Sequence, residues 1–415
     1  MKLLESLKKH SIHNQFKLLY LSSSKLLGMF LGYINIIFLG SLMPVNDFGI
    51  YKFYFHVLNF IAIFFEFGFF TAGSRLIALN DSHEKKKKLV SNLLVIMLIL
   101  LFLNVILQIF LCYYGTGLFE IKIDNYLASS YILGSITITP FLIQQISQAI
   151  GAIKALSVYS LIVQMTFFLY LLNISILQID MSIISLIKTN LFLQWIALFI
   201  YVYYIKDFIG KIEWELFHEL FKEVKKYGLK VYLSRAVDTG TYSLDSLMIG
   251  MFFSSTEVAI YSIGISIFSS STLAIFQSYG LILYKDLHKY SMKELKQKIL
   301  QIYYFSFFII IFVFFLASLL VIYFLNNEYH YVFNYLILIF LLTYISSNNQ
   351  LYYYIFQAKG FGKEMVNISF IAIFLNIFGN LIFIPLYGIS GAFIASLITL
   401  ISTHTYMFYI FFIKG

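Results

Sequence analysis

Long apolar runs separated by short polar connectors recur along this chain, and no other feature limits its possible folds as severely. A helix needs about 20 residues to cross ~30 Å of hydrocarbon. On that basis the sequence predicts transmembrane spans near 18–41, 51–72, 91–113, 127–149, 155–177, 183–205, 231–253, 257–283, 300–325, 332–355, 366–386 and 389–412. Only 12% of the 415 residues are charged and 60% are hydrophobic, whereas a soluble surface uses about a quarter of charged residues. The longest polar stretch, 206–230, is too short for an independent domain, so there is no room for a soluble catalytic domain. No A-x-A-like site follows the first apolar run, and a retained first helix is expected rather than a removed signal.

The connectors set the expected orientation. With the N-terminus placed in the cytoplasm, the inside segments 1–17, 73–90, 150–154, 206–230, 284–299, 356–365 and the C-terminal end hold 24 of the 29 Lys and Arg residues. Such alternation is the positive-inside pattern. It accounts for the net charge of +9 without nucleic acid, and it predicts an even number of spans with both termini inside. The Lys85–Lys88 run then reads as an anchor beside anionic lipid. In 206–230, Trp214, Phe217, Phe221 and Val224 recur at helical spacing with charges opposite, predicting an amphipathic helix on the membrane surface between two halves.

Shifting the chain by 210 positions brings Ser24 onto Ser234, Gly40 onto Gly250, Tyr51 onto Tyr261, Lys25 onto Arg235 and Asp47 onto Glu257. Polar matches carry more weight than apolar ones, because helix, loop and charge must all coincide. Six spans per half make the halves parallel repeats about an axis along the membrane normal. The expected architecture is all-α integral membrane, with about 12 transmembrane helices in two parallel six-helix bundles: 1–205, a linker 206–230, and 231–415.

Ionisable residues within the spans cost at least ~2.5–3.5 kcal/mol each and normally face a bundle interior or wet cavity. Lys52, His56, Asn59 and Glu66 of the second span lie within a stripe about 80° wide, and so do Arg235, Asp238, Tyr242 and Asp245 of the seventh. Lys25 shares a side of the first span with Gly28 and Gly32. Together they predict a polar cavity lined by spans one, two and seven. Other readings stay open: Arg235 and Asp238 pair with each other, Lys52 sits at the outer interface, or Lys25 snorkels to the cytoplasm. Glu66 and Asp245 have no partner in their own spans. Asn376, Gly379 and Asn380 read as helix-packing residues, and His404 as a packing histidine satisfied by its neighbours.

No ATP-binding P-loop, zinc-binding pair or nucleophile elbow occurs, and the lone Cys112 has no Cys or His near it. No cofactor or resident metal is expected. Glu66, Asp238 and Asp245, with His56 beside them, are candidates to carry H⁺ or Na⁺ if transport is ion-coupled.

Four segments have a family character. "LGSLMPVNDFGIYKFYF" (39–55), "FFEFGFFTAGSRLIA" (64–78), "DSLMIGMFFSSTEVAIYSIGISI" (245–267) and "NIFGNLIFIPLYGISGAFIASLIT" (376–399) resemble polysaccharide-biosynthesis flippases. These form the Wzx-like branch of the multidrug/oligosaccharidyl-lipid/polysaccharide exporter superfamily. The resemblance implies MATE-like bundles around a central cavity in a bacterial inner membrane. It also implies flipping of an oligosaccharide repeat unit on undecaprenyl pyrophosphate, for O-antigen, capsule or a related polymer, with polymerase or chain-length proteins as possible partners. In that setting Lys25 and Arg235, backed by Lys52, are the expected diphosphate ligands, and Asn59 and Tyr242 face the substrate. Two other classes compete. A drug or metabolite antiporter of the same superfamily favours cations and sits awkwardly with Lys25 and Arg235. A membrane polymerase or ligase resembles a plan with a long outer loop bearing Arg and His, whereas the outer loops here are short and nearly free of both, so a non-enzymatic role is expected.

Overall fold

The computed structural model describes residues 27–414 apart from 29, 115–119, 180–181, 271, 274, 278, 281–289 and 360. It also leaves aside the side chains at 64, 124, 153, 230–231, 233–242, 298, 357–358, 362 and 414. Every regular element among the described residues is helical. In chain order they are α1 (Phe30–Leu42), α2 (Val45–Phe64), α3 (Phe69–Leu79), α4 (His83–Tyr114) and α5 (Asp124–Gly134). There follow α6 (Thr139–Ile150), α7 (Ile153–Leu177), α8 (Ile183–Tyr204), α9 (Trp214–Glu223), α10 (Leu229–Phe252) and α11 (Ser255–Ile263). The last four are α12 (Met292–Phe324), α13 (Leu336–Lys359), α14 (Gly362–Tyr387) and α15 (Ile389–Tyr409). Eight segments are long and apolar enough to cross a membrane. The protein is a multi-pass membrane protein.

Local chemistry fixes the helix ends. Gly151, at φ 71°, closes α6 in the left-handed region that a side chain disfavours. At α12 a capping box forms: Ser291 Oγ accepts from the Glu294 amide at 3.3 Å, and the Ser291 amide donates to Glu294 Oε2 at 2.8 Å. The Pro-x-Tyr-Gly-Ile-x-Gly-Ala signature is the corner between α14 and α15. Gly388 takes φ 60° there, and a Cβ on Gly391 would sit 2.0 Å from the Phe383 carbonyl oxygen. Only glycines let those two helices pack so closely at the turn.

The internal repeat is visible in the helix starts: Val45 and Ser255, His83 and Met292, Asp124 and Leu336, Ile153 and Gly362, Ile183 and Ile389. These pairs lie close to the 210-residue offset, in the same order in each half.

Packing sorts the chain into two compact units. The first gathers the described residues of Met1–Asn35, Phe65–Leu107 and Ser130–Tyr232; the second gathers Ile36–Phe64, Gln108–Ser129 and Leu233–Gly415. In the first unit α1 rests on α7, where Asn35 Nδ2 donates to Gln164 Oε1 at 3.0 Å and Gly32 faces the same Gln164. In the second unit α2 lies on its repeat equivalent, α11. A Cβ on Gly49 would fall 1.8 Å from the Ser255 carbonyl oxygen, and Ser255 Oγ donates to Asn46 Oδ1.

Three sequence expectations need correction. The second span is not one helix through residue 72. Phe67 (φ 46°) and Gly68 (φ 76°) break it, so Glu66 lies in the break and does not extend the stripe of Lys52, His56 and Asn59. At the end of α9, Val224 leaves the aromatic face and is buried with Leu216 and Leu220, while Trp214 (79% exposed) and Phe221 point outward. The third concerns Lys85 and Lys88, which are engaged within the protein: Lys85 pairs with Glu219 at 2.9 Å and Lys88 with Glu213 at 2.9 Å. Arg75 adds a pair with Glu223 and lies 4.4 Å from the Tyr227 ring. Glu213, Leu216, Leu220 and Glu223 share one side of α9 at helical spacing, so the ion pairs roll the leucines inward and the aromatics out.

Candidate functional site

Among the described residues of the second unit, one acid lies deep between the helices. Asp245 on α10 is 1% exposed, and four neutral donors converge on it. Oδ1 accepts from Asn380 Nδ2 at 2.6 Å and Asn376 Nδ2 at 3.1 Å. Oδ2 accepts from Ser396 Oγ at 2.5 Å and the Tyr261 hydroxyl at 2.7 Å. The two asparagines stand one turn apart on α14, so both amides meet the same carboxylate, and Ser396 comes from α15 beside them.

This arrangement suits an ionised carboxylate, because four donors fill its acceptor positions. It does not supply a countercharge. The ion pairs among the described residues are Arg75–Glu223, Lys85–Glu219 and Lys88–Glu213, and none reaches Asp245. An isolated buried charge is costly unless something neutralises it. Asn380 Oδ1 is buried without a hydrogen-bond partner, and a half-turn of that amide would present oxygen instead of nitrogen to Asp245. The cage would then offer one carboxylate and three neutral oxygens, from Asn380, Ser396 and Tyr261, a hard-ligand set with charge for one monovalent cation or one proton.

The stripe on α2 survives in part. Lys52, half-buried, lies 5.4 Å from the Phe48 ring centre, a cation–π arrangement. Among the described residues it has no carboxylate partner. His56 Nε2 stands 3.5 Å from Ser262 Oγ on α11, and Asn59 is exposed. In the first unit Glu66 is 3% exposed and accepts from Thr71 Oγ1 at 3.0 Å. Lys25 lies outside the described residues, as do the side chains of Arg235, Asp238 and Tyr242.

Asp245 stood out in the sequence, but its partners did not. The sequence reads Asn376 and Asn380 as packing residues and gives Tyr261 and Ser396 no role at the site. The available signal was the pair of asparagines at i and i+4 in a span otherwise rich in apolar residues. His404 is satisfied as expected, with Nδ1 2.6 Å from Asn349 Oδ1 and Nε2 3.1 Å from the Tyr303 hydroxyl.

A family model described as "polysaccharide biosynthesis protein" matches residues 17–272, well over half of the chain. The chain belongs to the polysaccharide biosynthesis protein family. The matched stretch includes the α2 stripe, Glu66, Asp245 and Tyr261. No curated protein matches the sequence. Among solved structures, this family member is similar to the lipid II flippase MurJ in its inward closed conformation (TM-score 0.69, 15% identity, 94% of this chain and 87% of that one). It is similar as well to the MATE multidrug transporter DinF-BH (0.67, 16%, 95% and 94%). A third similar structure is the Vibrio cholerae MATE transporter VcmN in its bent form (0.60, 14%, 95% and 95%). At these identities the likeness is one of fold: the all-helical architecture of membrane transporters and a flippase.

Proposed function

We propose that this family member flips undecaprenyl-pyrophosphate-linked oligosaccharide repeat units from the cytoplasmic to the periplasmic leaflet of a bacterial inner membrane. Both termini are cytoplasmic in this reading. The halves 1–205 and 231–415, joined by 206–230, alternate in opening a central cavity. Lys25 and Arg235 hold the diphosphate with Lys52, and Asn59 and Tyr242 face the sugars. Asp245 carries the coupling H⁺ or Na⁺, with Glu66, Asp238 and His56 as further candidates.

The observation that carries this reading is the family match over 17–272. The physical chemistry supports it: a diphosphate bearing sugars cannot cross hydrocarbon unaided, and a buried, uncompensated carboxylate is where a transported cation gains most. The MATE likeness keeps a drug antiporter as the second reading. Such an exporter would also use Asp245, but it would have no need of Lys25 and Arg235.

A knockout complemented with wild type or with Lys25→Ala/Arg235→Ala tests it. The expected result is lipid-linked precursor accumulating on the cytoplasmic face, relieved by wild type and not by the double variant. Relief by both would remove the cationic site. Precursor reaching the outer face without the protein would remove the flippase reading.

A further inference from the structure

Inside the second unit lies a cavity of about 320 Å³, bounded by α11, α13, α14 and α15, a size at the lower end of ordinary small-ligand sites. Its polar groups include the Asn349 and Gln350 amides and the Tyr261, Ser346, Ser396, Thr399 and Thr403 hydroxyls, set beside Tyr353 and Tyr354. Among the described residues no Lys, Arg, His, Asp or Glu lines it. Asn349 Oδ1 is engaged by His404, while the Asn349 amide hydrogens and the whole Gln350 amide have no bonded partner among the described residues. A site without charge has nothing to hold a diphosphate. Aromatic faces beside amides and hydroxyls fit a neutral ring with apolar faces and a hydroxyl rim.

We propose that this cavity is a saccharide subsite, and that its occupancy is linked to the cation on Asp245. The proposal rests on the flippase reading and gives the neutral sugar a place apart from the diphosphate ligands. The linkage follows from two shared residues. Tyr261 and Ser396 line the cavity and also donate to Asp245 Oδ2 at 2.7 and 2.5 Å. Each hydroxyl has a single hydrogen. While Asp245 is a bare carboxylate, both hydrogens are engaged by it, and the hydroxyls can only accept from a sugar. Once a cation or proton sits on the carboxylate, the hydrogens are released to donate into the cavity. Sugar and cation therefore strengthen each other's binding, and linkage makes the effect reciprocal. Asp245 is the charged group of the cage; the facing groups from α11, α14 and α15 are the Tyr261 phenol, two amides and one hydroxyl.

The test uses the full-length protein in a detergent without a sugar headgroup. The probes are methyl glucoside, methyl galactoside and methyl N-acetylglucosaminide, read by saturation-transfer NMR in sodium chloride and in choline chloride. At least one glycoside should bind wild type, roughly fivefold or more tightly in sodium. Gln350→Leu and Gln350→Ala should weaken it about tenfold while keeping the wild-type melting temperature. Asp245→Asn should keep glycoside binding and lose the sodium effect. No binding by any of the three glycosides, equal binding by wild type and both cavity variants, or displacement by tetraphenylphosphonium instead would overturn the subsite. The precursor sidedness measurement separates the two failures: flipping without glycoside binding sinks the subsite alone, and absence of flipping sinks the function beneath it.

Discussion

Two regions of this molecule handle negative charge in opposite ways. On α9, Glu213, Glu219 and Glu223 meet Lys88, Lys85 and Arg75, carboxylate against cation. In the second unit Asp245 meets two amides and two hydroxyls and, among the described residues, no cation. The α9 pairs are partly exposed, with Lys85 at 36% and Glu219 at 38%, so their charges are screened and each pair stabilises little. Asp245 is buried and its donors are dipoles, which orient the carboxylate without cancelling its charge. Surface pairing closes an electrostatic account, whereas the buried cage leaves one open for a mobile ion.

The contrast is most exposed to failure at Asp245. Asp245→Asn keeps the shape and removes the charge, so transport of lipid-linked precursor should fall to the knockout level. Stabilisation of the purified protein by sodium should vanish too; at a ligand concentration 100 times the dissociation constant that is about 2.7 kcal/mol, readable as a melting shift. An unchanged melting response to both sodium and acid would place the coupling elsewhere. Gly228→Ala comes next. Its Cβ would lie 2.5 Å from the Gly68 carbonyl oxygen, and the overpacking should cost about 1–3 kcal/mol, measured by thermal unfolding in micelles.

Breaking the best-buried α9 pair should matter less. Arg75→Ala is expected to cost about 0.5–1 kcal/mol together with its stacking on Tyr227. The ion-pair part should fade in high salt, whereas any sodium effect at Asp245 should saturate at low concentration. The smallest effect belongs to Trp214→Ala, within about 0.5 kcal/mol of wild type. That variant should nevertheless lose most tryptophan quenching by lipids brominated near the headgroup, because Trp214 faces outward and Trp195 is the other tryptophan.

The apolar spans and the placing of Asp245 inside a span were legible because each breaks a rule of cost: apolar runs too long for a soluble fold, and an acid where hydrocarbon penalises it. The rest of the cage was not. Ser396 is of a kind that helices commonly satisfy through their own backbone, and a tyrosine is ordinary near a membrane interface, so nothing local marks their turn toward Asp245. The inward face of α9 was not legible, because Leu216–Leu220–Val224 follows the helical period as well as Trp214–Phe217–Phe221 does. The choice between them was made by Arg75, Lys85 and Lys88, which are distant in sequence. The break at Phe67 and Gly68 was hidden within an apolar run, with only the glycine to signal it.

The meeting of Gly68 and Gly228 has a mechanical meaning. Interlocked side chains resist rotation because every knob must leave its hole. Two backbones in contact with no side chains between them have nothing to disengage. The start of α3 and the π turn at Val224–Gly228 thus touch with the Ala72 methyl as the nearest side chain, a contact with almost no knob to clear, and Arg75 pairs with Glu223 beside it.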